Sequence, residues 1–415
     1  MKLHTLVPRA VCGCALVALS LACSSSWAKK HSHGAAPPAA PATPSNEDIP
    51  AEIQLQEVYG LLAQGHSRDA LSKAGKLVSE HPNFQLAQLV YGDILAARVR
   101  PVKALGDVPA SLAQSAPAVL GDLREEALQR ATAAHGRPPA SAIPAQFISI
   151  AAKTRHAIAV DASRARLYLF ENRPTGLALI ADFYTSVGKA GVSKNMQGDQ
   201  RTPLGIYYIT SHLQAASLKD FYGSGALPIN YPNMLDARRG KTGGGIWLHG
   251  TPPAQFSRAP RATDGCIVMS NPDLRRIIRL VEVGTTPVLI APQLQWVDPR
   301  VLKSESKPFE DTLQSWRKAK TEGNLAQLLR FYTADFNSHG RNLEQWSGVL
   351  RAEMVKSQGH NIELKDVSFL RWTDSSDTMV VTMGEVLAGQ RTGWTKRQYW
   401  TRESGEWKIF FEGTL

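Results

Sequence analysis

Gly245-Ile246-Trp247-Leu248-His249-Gly250-Thr251 and, one loop later, Ala262-Thr263-Asp264-Gly265-Cys266-Ile267-Val268-Met269-Ser270-Asn271 are the stretches that decide how this chain reads. An apolar run ends in a histidine, and a cysteine follows it 17 residues on, between a glycine and a second apolar run. Short apolar runs bounded by Gly read as buried strands. A thiol of ordinary pKa, about 8.5, is only a few per cent ionised at neutral pH, so a working cysteine needs a base beside it. His249 can take the thiol proton and later hand it to a departing amine. The backbone carbonyl of Gly250 can hold the other ring nitrogen without a third side chain. Gly265 lets the chain approach a reacting carbonyl, and the amides of Gly265 and Cys266 are expected to form an oxyanion site. Asn271-Pro272-Asp273 reads as a turn opening a helix over Leu274 to Val281.

Outward from this pair the period stays at two. His156-Ala157-Ile158-Ala159-Val160 and Arg166-Leu167-Tyr168-Leu169-Phe170 flank Asp161-Ala162-Ser163-Arg164, a hairpin signature, and further β runs stand at 179–187, 205–210 and 287–291. Together they predict a mostly-β domain over 143–295. A last section over 305–415 opens with helical positions Leu313, Trp316, Leu325, Leu328 and Leu329. It closes with strands over 365–372, 378–387, 397–402 and 407–411. Helices followed by an antiparallel sheet predict a separate α+β domain whose tryptophans, Trp346, Trp372, Trp394, Trp400 and Trp407, serve the core rather than a ligand cage.

The motifs Arg201-Thr202-Pro203-Leu204-Gly205-Ile206-Tyr207, Gly240-Lys241-Thr242-Gly243-Gly244-Gly245-Ile246-Trp247-Leu248-His249-Gly250 and Thr263-Asp264-Gly265-Cys266-Ile267 occur in one order. In that order they resemble the YkuD-type L,D-transpeptidase family. The resemblance implies a β-sandwich-like catalytic fold with Cys266 as nucleophile, His249 as general acid and base, and Gly250 as the carbonyl that orients it. The thiolate would attack the bond between a diamino acid and D-Ala in peptidoglycan stem peptides, leaving a thioester. An amine completes a transpeptidation; water completes an L,D-carboxypeptidase reaction that trims tetrapeptide to tripeptide stems. Release of a wall-linked lipoprotein is a third outcome. Two positions depart from the family: Asp264 stands where many members have His, and Val268 where many have Arg. Recognition of the substrate carboxylate then falls to other cations, with Arg238, Arg239 and Lys241 as candidates. Tyr222, Asn230, Thr263 and Asp264 are the remaining candidates for the groove. The last section resembles the nuclear-transport-factor-two-like (SnoaL-like) cone, which implies an apolar pocket with an unknown ligand. The three-part arrangement resembles L,D-carboxypeptidases that shape curved cells.

Toward the N-terminus, residues 1–28 carry Lys2 and Arg9, an apolar run over 10–23 and Ser26-Trp27-Ala28, a small-x-Ala end, which predicts a secretory signal peptide and a periplasmic product. Lipid anchoring at Cys23 is disfavoured because Ser20-Leu21-Ala22 matches that signal poorly. Cys12, Cys14 and Cys23 all fall in this leader, so Cys266 is the single cysteine of the mature chain and has no intramolecular disulfide partner. Residues 29–50, rich in Ala, Pro and Ser, predict a linker. Helical spacing follows over 51–104: Leu55, Val58 and Leu62, then Ala70, Ala74 and Leu77, then Leu86, Leu89 and Ile94. This resembles a tetratricopeptide-type hairpin and is expected to dock a protein partner or to dimerise. Residues 105–142 read as a connector with one helical stretch over 123–133. The formal net charge of +11 falls to +9 without Lys2 and Arg9 and favours anionic partners, with nucleic acid excluded by the exported destination. No His-Glu-x-x-His or Gly-x-Ser-x-Gly motif occurs, which argues against zinc and serine hydrolases, and no metal or cofactor is expected. A non-catalytic wall-binding protein is the competing class; it makes the Cys266 and His249 pairing an accident.

Overall fold

The computed structural model describes residues 50–357 and 360–415; the expected leader (1–28) and linker (29–50), Pro50 apart, lie outside the described residues. Helices α1 (Ala51–Ala63), α2 (Ser67–Glu80) and α3 (Gln85–Ala96) follow one another with short breaks at Gly65 and Pro82. Leu55, Val58, Ala70, Ala74, Leu77, Leu86 and Val90 share one core, while Leu62 turns to the surface. The segment read as a connector contains two helices, α4 (Ala110–Ser115) and α5 (Pro117–His135). Pro117 starts α5 at a position where a missing N–H costs nothing. Apolar periodicity understates α5 because its inward face is charged: Glu126 and Arg130 are both buried. Arg130 donates to Glu126 at 2.7 Å and pairs with Glu52 of α1. Glu52 in turn accepts from Arg166 at 2.8 Å, which ties the helices to the β-domain.

The β-domain begins with β1 (Ile143–Pro144), β2 (His156–Asp161), β3 (Arg166–Arg173), β4 (Gly176–Tyr184), β5 (Val187–Gly188) and β6 (Gly205–Tyr208). It continues with β7 (Leu213–Gln214), β8 (Gly225–Pro228), α6 (Met234–Arg238), β9 (Trp247–His249), β10 (Arg261–Thr263), β11 (Ile267–Val268), α7 (Asn271–Leu280), β12 (Pro287–Ala291) and β13 (Trp296–Val297). A five-stranded sheet runs β4-β3-β2-β12-β6, with β12 parallel to β2 and antiparallel to β6. A second sheet runs β11-β9-β8-β7. Alternation decides what each face of the large sheet meets. Ile158, Val160, Leu167, Leu169, Val288 and Ile290 pack with Leu248, Ile267 and Met269 of the second sheet and its flanks. Ala157, Ala159, Tyr168, Phe170 and Leu289 point the other way, into a core shared with the C-terminal section.

That section holds α8 (Pro299–Thr321), α9 (Leu325–Leu329), β14 (Asn337–Ser338), β15 (Arg341–Asn342), α10 (Leu343–Lys356), β16 (Ile362–Thr373), β17 (Asp377–Leu387), β18 (Trp394–Glu403) and β19 (Glu406–Thr414). The last four strands form an antiparallel sheet in sequence order. On α8, capped by Asp298, Leu302, Phe309, Leu313 and Trp316 form one buried stripe. This section packs closely on the β-domain, because the stripe and the inner side of the large sheet share one core, and Ser149 bridges Phe369 of β16. Trp346, Trp372 and Trp400 are buried as expected, whereas Trp394 is exposed. Inside the cone lies an ionic cluster: Lys320 donates to Glu353 and Glu385, and Lys396 donates to Glu353 and Glu412, at 2.7 to 3.2 Å. Buried charges persist when paired in this way.

Candidate active site

Strand register brings the cysteine and the histidine together. β9 and β11 are parallel, with Ile267 opposite Leu248 and Val268 opposite His249. One step back along both strands, Cys266 falls beside Trp247, and Trp247 and His249 point to the same face because side chains alternate. Cys266 and His249 line a cleft of about 360 Å³ with Tyr222, Thr263, Asp264 and Arg258. Cys266 Sγ donates to the Gly245 carbonyl at 3.5 Å, and among the described residues it makes no hydrogen bond to the imidazole.

His249 is buried, and its Nδ1 lies 2.7 Å from the Gly250 carbonyl, leaving Nε2 to face the cleft. Burial drives its pKa down to about 4; the Gly250 carbonyl opposes this, and the positive charge of Arg258 adds to it. Burial pushes the Cys266 thiol up, partly offset by the Trp247 amide, by Arg258 and by Lys194, while Asp264 adds to the rise. At neutral pH the pair therefore rests as neutral thiol and neutral imidazole rather than as an ion pair.

The surrounding loops are pinned by side chains whose roles the sequence reading missed. Thr202, from the Thr-Pro-Leu-Gly motif, donates to the Gly265 carbonyl at 2.9 Å and accepts from the Gly188 amide at 2.9 Å. Asn271 does more than open a turn: it donates to the Thr251 carbonyl and accepts from the Ser224 amide, both at 2.8 Å, so it joins the loop after His249 to the loop carrying Tyr222. Gly250 packs against this amide side chain, with no room for a Cβ. Gly265 has φ +124° and lies against the Arg201 carbonyl, two separate reasons for glycine.

The other expected site residues divide. Tyr222 lies in the cleft, its ring centroid 5.0 Å from that of His249. Thr263 lines it and donates to the Cys266 carbonyl at 2.7 Å; Asp264 lines it and pairs with Lys189 at 2.9 Å. The Gly265 amide donates to Thr263 Oγ1 at 3.1 Å, so of the two expected oxyanion donors it is already engaged. Asn230 is structural, its side chain accepting from the Tyr208 amide at 2.7 Å. The three expected substrate cations are elsewhere. Arg238 pairs with Asp335 at 2.8 Å, Arg239 with Asp374 at 2.7 Å, and Lys241 with Asp236 at 2.8 Å. Arg239 and Lys241 border a different cavity of about 760 Å³ beside Trp372 and Arg371. These adjacent charges looked free in sequence; the acidic partners of Arg238 and Arg239 are supplied from far along the chain, and that of Lys241 from α6 just before it. The cations that do line the cleft are Lys189, Lys194 and Arg258. Among the described residues no group of three or more His, Cys, Asp or Glu side chains is arranged to hold a metal ion.

Residues 155–290 match the family model of the YkuD L,D-transpeptidase catalytic domain, and residues 309–413 match that of the Cds6 C-terminal NTF2-like domain. The chain thus carries an L,D-transpeptidase catalytic domain followed by an NTF2-like domain. Among solved structures, Bd1075 of Bdellovibrio bacteriovorus aligns at 24% identity over 66% of this chain and 98% of its own, with a TM-score of 0.56. The helical cell shape determining protein Pgp2 of Campylobacter jejuni aligns at 21% identity over 65% of this chain and 95% of its own, with a TM-score of 0.51. At these identities the likeness is one of fold. No curated protein sequence matches the chain.

Proposed function

We propose that this protein is a cysteine-dependent enzyme of peptidoglycan stem peptides that cleaves the bond between the diamino acid and D-Ala through a thioester on Cys266. The observation that carries the reading is the parallel register of β9 and β11, which puts Cys266 and His249 on one face of one cleft. In the proposed sequence, neutral His249 takes the thiol proton as Sγ attacks the scissile carbonyl. The Cys266 amide, for which no partner is found among the described residues, is the proposed oxyanion donor, since that of Gly265 is engaged. Collapse breaks the carbon–nitrogen bond, and imidazolium returns the proton to the amine of D-Ala. The thioester then passes to an amine, which makes the reaction a transpeptidation and the protein a remodeller of cross-links.

Trimming to tripeptide stems by water is the second reading. It is favoured by the overall likeness of fold to a protein named as determining helical cell shape. Export to the periplasm through the leader belongs to the proposal, as does a tetratricopeptide-type docking role for the helices, which the common core of α1, α2 and α3 supports. Incubation with disaccharide tetrapeptide, followed by mass spectrometry, tests the reading. Cross-linked dimers, or exchange of D-Ala for an added D-amino acid, are expected for a transpeptidase, and tripeptide with free D-Ala for a carboxypeptidase. Cys266→Ala should abolish either product while unfolding at the same temperature within about 2 °C, because one small side chain replaces another. Undiminished turnover in that variant would refute the proposed nucleophile.

A further inference from the structure

The three cations of the cleft are not equivalent. Lys189 is paired with Asp264 at 2.9 Å, and Lys194 with Asp199 at 2.6 Å. Arg258 has no carboxylate within salt-bridge distance among the described residues, and its buried Nε has no hydrogen-bond partner there. Its guanidinium lies over the Phe221 ring, 4.5 Å from the centroid, and that ring lies 5.7 Å from the imidazole of His249. Asp264, paired with Lys189, reaches it only from beyond contact distance, and a half-buried guanidinium with no carboxylate in contact is costly unless an anion arrives to complete it.

The backbone that carries it is fixed by the helical section and, within the catalytic domain, by β4. Phe256, two residues earlier, stacks on Phe84 at 4.2 Å, and its amide donates to the Asn83 carbonyl at 3.1 Å. Asn83 donates to the Pro253 carbonyl, Ser257 donates to Glu126 of α5, and Tyr184 donates to the carbonyl of Arg258 itself. The helical section thus holds both ends of the loop between His249 and β10. The backbone at Arg258 is thereby held in place, and the Phe221 ring beneath the guanidinium keeps the side chain over the cleft.

Resting on the function proposed above, we infer that Arg258 reads the free terminal carboxylate of the stem, and that the helical section is the device that holds it there. In the proposed substrate this carboxylate sits on the carbon next to the scissile nitrogen, so an anion bound at Arg258 would be near the sulfur and the imidazole together. Arg258 then takes over the charge that Val268 does not supply.

The test compares disaccharide tetrapeptide bearing a free terminal carboxylate with the same compound as its terminal carboxamide, using the full chain. For the unmodified protein, kcat/KM should be at least about 30-fold lower on the amide, the penalty of leaving a desolvated charge unpaired. Arg258→Gln should raise KM for the free acid more than it lowers kcat and should bring the two substrates to within about threefold. Arg258→Lys, which keeps the charge without the fork, should restore part of the preference. Equal turnover of acid and amide by the unmodified protein, or full discrimination in Arg258→Gln, would overturn the inference. Binding of the same two peptides to Cys266→Ala separates this from failure of the reaction itself. A preference for the acid there upholds Arg258 even if no product forms, and equal binding overturns it.

Discussion

At the residue scale, the proposed chemistry turns on the protonation state of His249. Its pKa of about 4 lies below the ordinary 6.5, so the imidazole is neutral and competent as a base across the whole neutral range. The acid limb of kcat/KM is therefore expected near pH 4, with a plateau from about pH 5 to 8. An acid limb at 6.5 would mean that the imidazole is not buried as described. As pH falls below 6.5 the unfolded chain protonates this histidine first, so its contribution to stability is complete above 6.5 and is lost toward pH 4. That Cys266 and His249 share one cleft was legible because an apolar strand ending in His and a glycine before the one Cys outside the expected leader are local patterns. Arg258 was not, because what singles it out is the lack of a partner, and partners are assigned only by the fold. Arg238 and Arg239 failed as candidates for the complementary reason: Asp335 and Asp374, 97 and 135 residues on, claim them.

Among the elements, strands were readable wherever the alternation was strong. β12 stands over 287–291 as its composition predicts, and β16 to β19 extend the expected runs by a few residues at their ends. α5 was seen only in part, since Glu126 and Arg130 break the apolar stripe at the face it buries. The loop between β9 and β10 gave no periodic signal at all, yet with the Arg166 and Glu52 pair it joins the helical section to the β-domain. Replacing Phe256 by Ala removes a ring that is 7% exposed and stacked on Phe84. It should cost about 3 kcal/mol in denaturant unfolding. If the loop also sets the site, KM for the tetrapeptide should rise several-fold with a smaller change in kcat. Lost stability with an unaltered KM would show that loop and site are uncoupled.

For the whole molecule, three sections were expected, and their order is as read; what the sequence did not disclose is how far two of them share an interior. Ala157 and Ala159 look like modest strand positions, but their small side chains let the large sheet approach the core built by Phe309, Leu313 and Trp316. A chain ending at Val297 would uncover Tyr168, Phe170 and Leu289 to water. It is expected to aggregate or to lose cooperative unfolding, as followed by thermal circular dichroism and size-exclusion chromatography. A soluble product with a sharp transition would show that the catalytic section stands alone. The position of β12 adds a consequence in time. This strand lies between β2 and β6, although it follows β2 by more than a hundred residues, so the middle of the sheet is the last of its parts to be made. Until it arrives, β2 and β6 each present an open edge, and pairing across so long a separation is slow. The nascent polypeptide thus spends its vulnerable period with unsatisfied strand edges, and chaperone protection should matter most just before residues 287–291 join the sheet.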